Sequence, residues 1–122
     1  MTGNQVLEAY MAIMELSKCV LPYKAARGVA GLKRALQVEY ETLRDAEGSV
    51  AEKHGGTFTG GQWVFPDSER KKEFDMEMAG FIEEDVDIDL PKVDISKYSD
   101  QLRLSPNTIF SLDGIVVFEK EG

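Results

Sequence analysis

The stretch from Pro22 to Lys53 has no internal proline and repeats an apolar residue every seven positions, at Val29, Leu36, Leu43 and Val50. Leu32 and Tyr40 fill the same side. A heptad stripe of this kind is the signature of a helix that packs along its whole length. It is too long for the core of so small a chain to cover it entirely. It must therefore pack along the helices before and after it, or against a second copy of itself. Pro22 suits the first position of this helix, and His54-Gly55-Gly56 ends it, glycine taking the left-handed conformation at little cost. Gly28 and Gly31 lie in its first third, where each costs up to about 1 kcal/mol relative to alanine. Glycine in that position implies the close approach of another backbone or a ligand.

The remaining elements follow from local pattern. A first helix is predicted from Asn4 to about Cys19, with Val6, Tyr10, Ile13 and Ser17 on one face and Leu7, Met11 and Met14 on the adjoining one. Thr57-Phe58-Thr59, Gly60-Gly61 and Gln62-Trp63-Val64-Phe65 read as a β-hairpin about a two-glycine turn. Pro66-Asp67-Ser68 opens a third helix with a buried stripe of Phe74, Met78, Phe81 and Ile82. Alternation of Val86, Ile88 and Leu90 with Asp85, Asp87 and Asp89 predicts a half-exposed strand over 85–95, held to an edge by Pro91. Ser105-Pro106 starts a last helix with Ile109, Leu112 and Val116 on its face, although Ile115-Val116-Val117 after Asp113-Gly114 would also suit a short strand. The helical reading is preferred. The expected fold is mainly α with a small hairpin and an edge strand, the long central helix antiparallel to shorter ones. Residues 1–122 form one domain, as the length implies.

Charge is distributed unevenly. Residues 1–66 carry seven acids and seven bases, whereas residues 67–100 carry twelve acids and five bases, and the chain totals −8. An acidic middle section argues against nucleic-acid binding, which relies on lysine and arginine to neutralise phosphates. It suits solubility first, and docking on a basic protein surface second. No apolar run reaches the roughly 18 residues of a membrane span, and the first residues lack the pattern of a signal peptide. Cys19 is the only cysteine, which excludes an internal disulfide and fits a reducing, intracellular compartment.

The inventory of reactive groups is thin. One histidine and one cysteine do not make a zinc site of the usual kinds, and Cys19 and His54 both fall at helix ends with no third group to orient the imidazole. Asp85-x-Asp87-x-Asp89 opens like a calcium-binding loop, but Leu90 and Ser96 occupy the positions that require glycine and glutamate. No metal, cofactor or enzymatic activity is expected. Two sharper features remain. Lys24, Arg27, Gly31 and Arg34 share one face of the long helix, where a basic strip beside a small residue is suited to an anionic group. Trp63 in the glycine-rich hairpin, with His54 near its base, is suited to stacking on a base or an aromatic ring. The plainer readings are a solvated helix flank and a tryptophan folded back on the core.

The order of these features resembles a family of small uncharacterised proteins encoded by tailed phages and prophages. The residues that carry the likeness are Leu21-Pro22-Tyr23-Lys24, the long helix ending in Lys53-His54-Gly55, Phe65-Pro66-Asp67, Val86-Asp87-Ile88-Asp89 and Leu104-Ser105-Pro106. The resemblance implies a phage or prophage origin and a non-catalytic accessory role. Together with the heptad stripe and the one-sided acidity, it leads to the expectation of a protein–protein interaction module in the host cytoplasm. Its partner would be a viral assembly or a host defence complex, and the module itself would be a homo-oligomer through the long helix. The alternative is a protein that sequesters an anionic metabolite or nucleotide, with Lys24, Arg27, Arg34, His54 and Trp63 as its binding residues.

Overall fold

A computed structural model describes residues 1–85 and 87–118. The fold is mainly α. Helix α1 spans Gly3–Leu16, α2 spans Tyr23–Lys53, α3 spans Ser68–Glu83 and α4 spans Pro106–Ser111. Strands β1 (Thr57–Thr59) and β2 (Gln62–Val64) form an antiparallel hairpin, and β3 (Val93–Asp94) pairs in parallel with β4 (Val116–Val117). A 3₁₀ turn covers Ser96–Gln101.

Local chemistry sets the helix ends. Thr2 and Gln5 form a reciprocal capping box at the start of α1, with Thr2 Oγ1 accepting from the Gln5 amide and Gln5 Oε1 from the Thr2 amide. Asp67 caps α3 through the Arg70 amide at 2.7 Å, and Ser105 caps α4 ahead of Pro106. At the far end of α2, Gly55 turns left-handed at φ +77° and the Gly56 amide donates back to the Ala51 carbonyl at 2.8 Å.

The heptad stripe is used within the chain. Val29, Leu32 and Leu36 are fully buried in a core shared with Ala9, Ile13 and Leu16 of α1 and with Val93, Ile95, Leu112 and Val116. Tyr10 stacks on Tyr40, ring centroids 4.3 Å apart, which continues the α1–α2 contact toward the helix middle. Beyond it, α3 takes over from α1. A side chain at Gly3 would meet the Ile82 backbone at 3.1 Å and Leu43 at 3.2 Å, so the start of α1 butts against the end of α3 beside Leu43. Both shorter helices therefore run antiparallel to α2, one along each half of it.

Three expectations are corrected. The predicted strand over 85–95 is confined to Val93–Asp94, with Asp85 making only an isolated bridge to Thr2; Val86 itself lies outside the described residues. Pro91 and the close run of aspartates deny residues 87–92 a partner strand, and β4 reaches only Val93 and Asp94. The last helix stops at Ser111, because Gly114 turns at φ +83° and, within the β-branched Ile115-Val116-Val117, Val116 and Val117 become β4, outside the reach of a helical ladder. Val93 N donates to Ile115 O at 3.1 Å and Ile95 N to Val117 O at 3.0 Å, which ties the C-terminal segment to the core. Residues 119–122 lie outside the described residues. In α3 none of the expected stripe is fully buried; Phe74, Met78 and Ile82 are half-buried and Phe81 is exposed, since α3 lies along only the C-terminal half of α2.

Candidate functional site

The residues singled out from sequence fall into two separate groups. Lys24, Arg27 and Arg34 stand exposed on the outer face of α2, and none of them makes an ion pair among the described residues. Gly31 beside them has open space where a side chain would project, whereas Gly28 is the true close approach: a side chain begun there would lie 3.3 Å from that of Val93. His54 and Trp63 lie at the other end of the helix. Twenty residues separate Arg34 from His54, which at ~1.5 Å per residue is about 30 Å. A small ligand cannot touch both groups.

His54 closes α2 and points into α3. Its Nε2 lies 2.9 Å from Glu77 Oε2 and its Nδ1 3.5 Å from Glu73, while Lys53 Nζ meets the other Glu77 oxygen at 2.7 Å. The hydrogen bond from Lys53, and after it the one from His54, holds the Glu77 carboxyl below its ordinary range. A carboxyl whose folded value is depressed stabilises the fold above its unfolded value of 4.5, and that contribution is lost as pH falls through the folded value. Urea unfolding from pH 7 to pH 3 should therefore show Glu77→Gln less stable than the parent at neutral pH, with the gap narrowing as the pH falls below 4.5. A gap that stays constant with pH would mean the carboxylate charge plays no part.

Trp63 folds back on α2. Its ring lies 3.6 Å from where a side chain on Gly48 would begin, its Nε1 donates to Glu47 Oε1 at 3.1 Å, and Phe58 across the hairpin meets it edge-on at 5.2 Å. One face of the indole is thus already occupied by helix backbone. Cys19 and His54 sit beyond opposite ends of α2, a helix about 45 Å long at ~1.5 Å per residue, so they share no site. Among the described residues no three His, Cys, Asp or Glu side chains converge as a metal site, and no helix is long and apolar enough to cross a membrane.

A surface suited to recognition was not legible as such. Two shallow grooves, of about 540 and 390 Å³, meet along the contact of α1 with α4 and share Glu8 and Ser111. Met11, 65% exposed, lies in one, and Phe110, 80% exposed, in the other. Glu8 and Glu15 rim the α1 side, Asp89 and Asp113 the far side, with Lys92 as the one basic side chain among these lining residues. The sequence signal was the width of the apolar face of α1. Val6, Ala9, Ile13 and Leu16 satisfy α2, and that leaves Leu7 half-buried and Met11 in solvent.

Comparisons with protein-family models, with curated proteins and with solved structures found no match to this chain.

Proposed function

We propose that this chain acts by binding another protein, and that the α1–α4 groove receives a basic, apolar segment of that partner. The carrying observation is the pairing of two exposed anchors, Met11 and Phe110, with a rim in which Glu8, Glu15, Asp89 and Asp113 outnumber Lys92. Large apolar side chains ringed by charge are where binding energy concentrates at protein interfaces, and a unipolar rim selects the opposite charge. Methionine adds a side chain that adapts to several partner shapes. The thin inventory of reactive groups favours a non-enzymatic role. The resemblance to tailed-phage proteins supports an accessory role in the host cytoplasm, on a viral assembly or a host defence complex. The alternative, sequestration of an anionic metabolite or nucleotide, is favoured only by the unpaired state of Lys24, Arg27 and Arg34, which stand on the outer surface of a helix.

Selection of random peptides displayed on yeast tests the reading directly. Enriched peptides should place lysine or arginine beside leucine, phenylalanine or methionine. The Met11→Ser/Phe110→Ser double variant should bind them at least about tenfold more weakly, the loss expected when interface anchors are truncated. Its thermal unfolding should change little because both side chains are exposed. Enrichment of acidic peptides, or undiminished binding by the double variant, would defeat the proposal.

A further inference from the structure

The outer face of α2 carries a charge order that is its own complement. Lys24, Arg27 and Arg34 lie in the first half of the helix, Glu41, Asp45 and Glu52 in the second, and all six are exposed. At about 100° per residue they fall within one sector about 100° wide, opposite Val29, Leu32 and Leu36. Val38 sits on the same face between the last base and the first acid, midway along Tyr23–Lys53 and 61% exposed. Gly31 keeps the basic half low, with nothing within 4 Å of where its side chain would begin. None of the six charges forms an ion pair within the described residues; Glu41 accepts only the Gln37 amide, at 3.1 Å.

We infer that this face docks a second copy of the chain, the two α2 helices antiparallel about a two-fold axis at Val38. Reversal about that residue sets Lys24 beside Glu52 of the second copy and Arg34 beside its Glu41, while Arg27 falls between its Asp45 and Glu52. Each contact is made twice, as a two-fold interface requires. Val38 meets its own counterpart at the centre, where a water-excluding apolar contact has most effect. A parallel pairing would set bases on bases and acids on acids, so the charges select orientation as well as partner. The net charge of −8 opposes association. Most of that excess lies in residues 67–100, outside α2, and at ~0.15 M salt the screening length of about 8 Å weakens it more than the direct contacts of the seam. The surface differs both from the heptad stripe, which α1 and α3 cover, and from the α1–α4 groove, so the inference stands apart from the proposed function.

Sedimentation velocity at tens of micromolar protein in ~0.15 M salt, with a repeat at about 1 M, tests it. The parent should sediment at twice the 13.6 kDa of one chain and dissociate at the higher salt. Arg27→Glu/Arg34→Glu and Glu41→Lys/Asp45→Lys should each be monomeric, and an equimolar mixture of the two should recover the doubled mass. Val38→Asp supplies a single-site route to the monomer should either reversal fail to fold by circular dichroism. A monomeric parent, or a dimer that survives all three variants, would overturn the inference, as would two folded reversals that do not re-pair. Met11→Ser/Phe110→Ser should leave the mass unchanged, which separates failure of this surface from failure of the groove.

Discussion

Replacing Leu36 with alanine is expected to lower the unfolding free energy by about 3 kcal/mol, within the roughly 2–5 kcal/mol typical of a fully buried leucine. Leu36 has no exposed surface and belongs to the cluster in which α2 meets α1 and the β3–β4 pair. Truncation leaves a cavity that rigid neighbours on three elements fill only in part. Against a whole stability of about 5–15 kcal/mol for a domain, that loss is large. It should appear in urea as a lower midpoint at unchanged slope, and in heat as a drop on the order of 10 °C. Val38→Ala, two residues along the same helix, should stay within about 0.5 kcal/mol at about 1 M salt, where pairing with a second copy is released and Val38 faces solvent. Equal losses at the two positions would mean that the heptad stripe is not what holds α1 to α2.

Gly56→Ala is expected to cost about 2 kcal/mol and to act on the hairpin, the usual range for a steric insertion being roughly 1–3 kcal/mol. A methyl group there would lie 2.8 Å from the Phe65 ring and 2.9 Å from the Ala51 carbonyl oxygen, the same oxygen that accepts the Gly56 amide. Ring and carbonyl bracket the position, and the carbonyl belongs to the last turn of α2, so the chain can relieve the clash only by swinging β1 and β2 outward. Trp63 would then lift from Gly48, and its fluorescence should shift to the red. Gly60 is the contrasting case. It turns at φ +63° with nothing within 4 Å of an added side chain, and Gly60→Asn should be nearly neutral because asparagine tolerates that turn conformation. Unchanged Trp63 emission in Gly56→Ala would show that the hairpin does not depend on this contact.

Legibility tracked the range of the interactions involved. The capped starts at Asp67 and Ser105, the glycine stop after Lys53 and the two-glycine hairpin depend on groups a few residues apart, and local sequence specifies them; the Thr2 cap of α1 was not read from the sequence, which placed that start near Asn4. The Val86-Asp87-Ile88-Asp89 alternation misled because period alone does not supply a partner strand. Only at Val93 does the chain find one, in a segment more than twenty residues further on. Ile115-Val116-Val117 fitted two readings, and the left-handed turn at Gly114 together with pairing to β3 decided for the strand. Among the candidate binding residues, each was placed correctly on its own element. Their separation follows from placing Arg34 and His54 twenty residues apart on and just beyond one continuous helix, α2.

The sequence by itself determined the mainly α character, the length and apolar side of α2, the hairpin, and the absence of a charge imbalance before residue 67. These follow from periodicity, glycine, proline and counting, all properties of the chain before it packs. Tertiary structure decided which apolar surplus stays outside. With α1 and α3 sharing one side of α2, the stripe of Val29, Leu32 and Leu36 is consumed internally, and Met11, Phe110 and Val38 are left facing solvent. It also decided that Trp63 rests on Gly48 and that His54 is held between Glu73 and Glu77. A side chain's periodicity names the face it belongs to, but only the geometry of the other elements fixes whether that face meets protein or water.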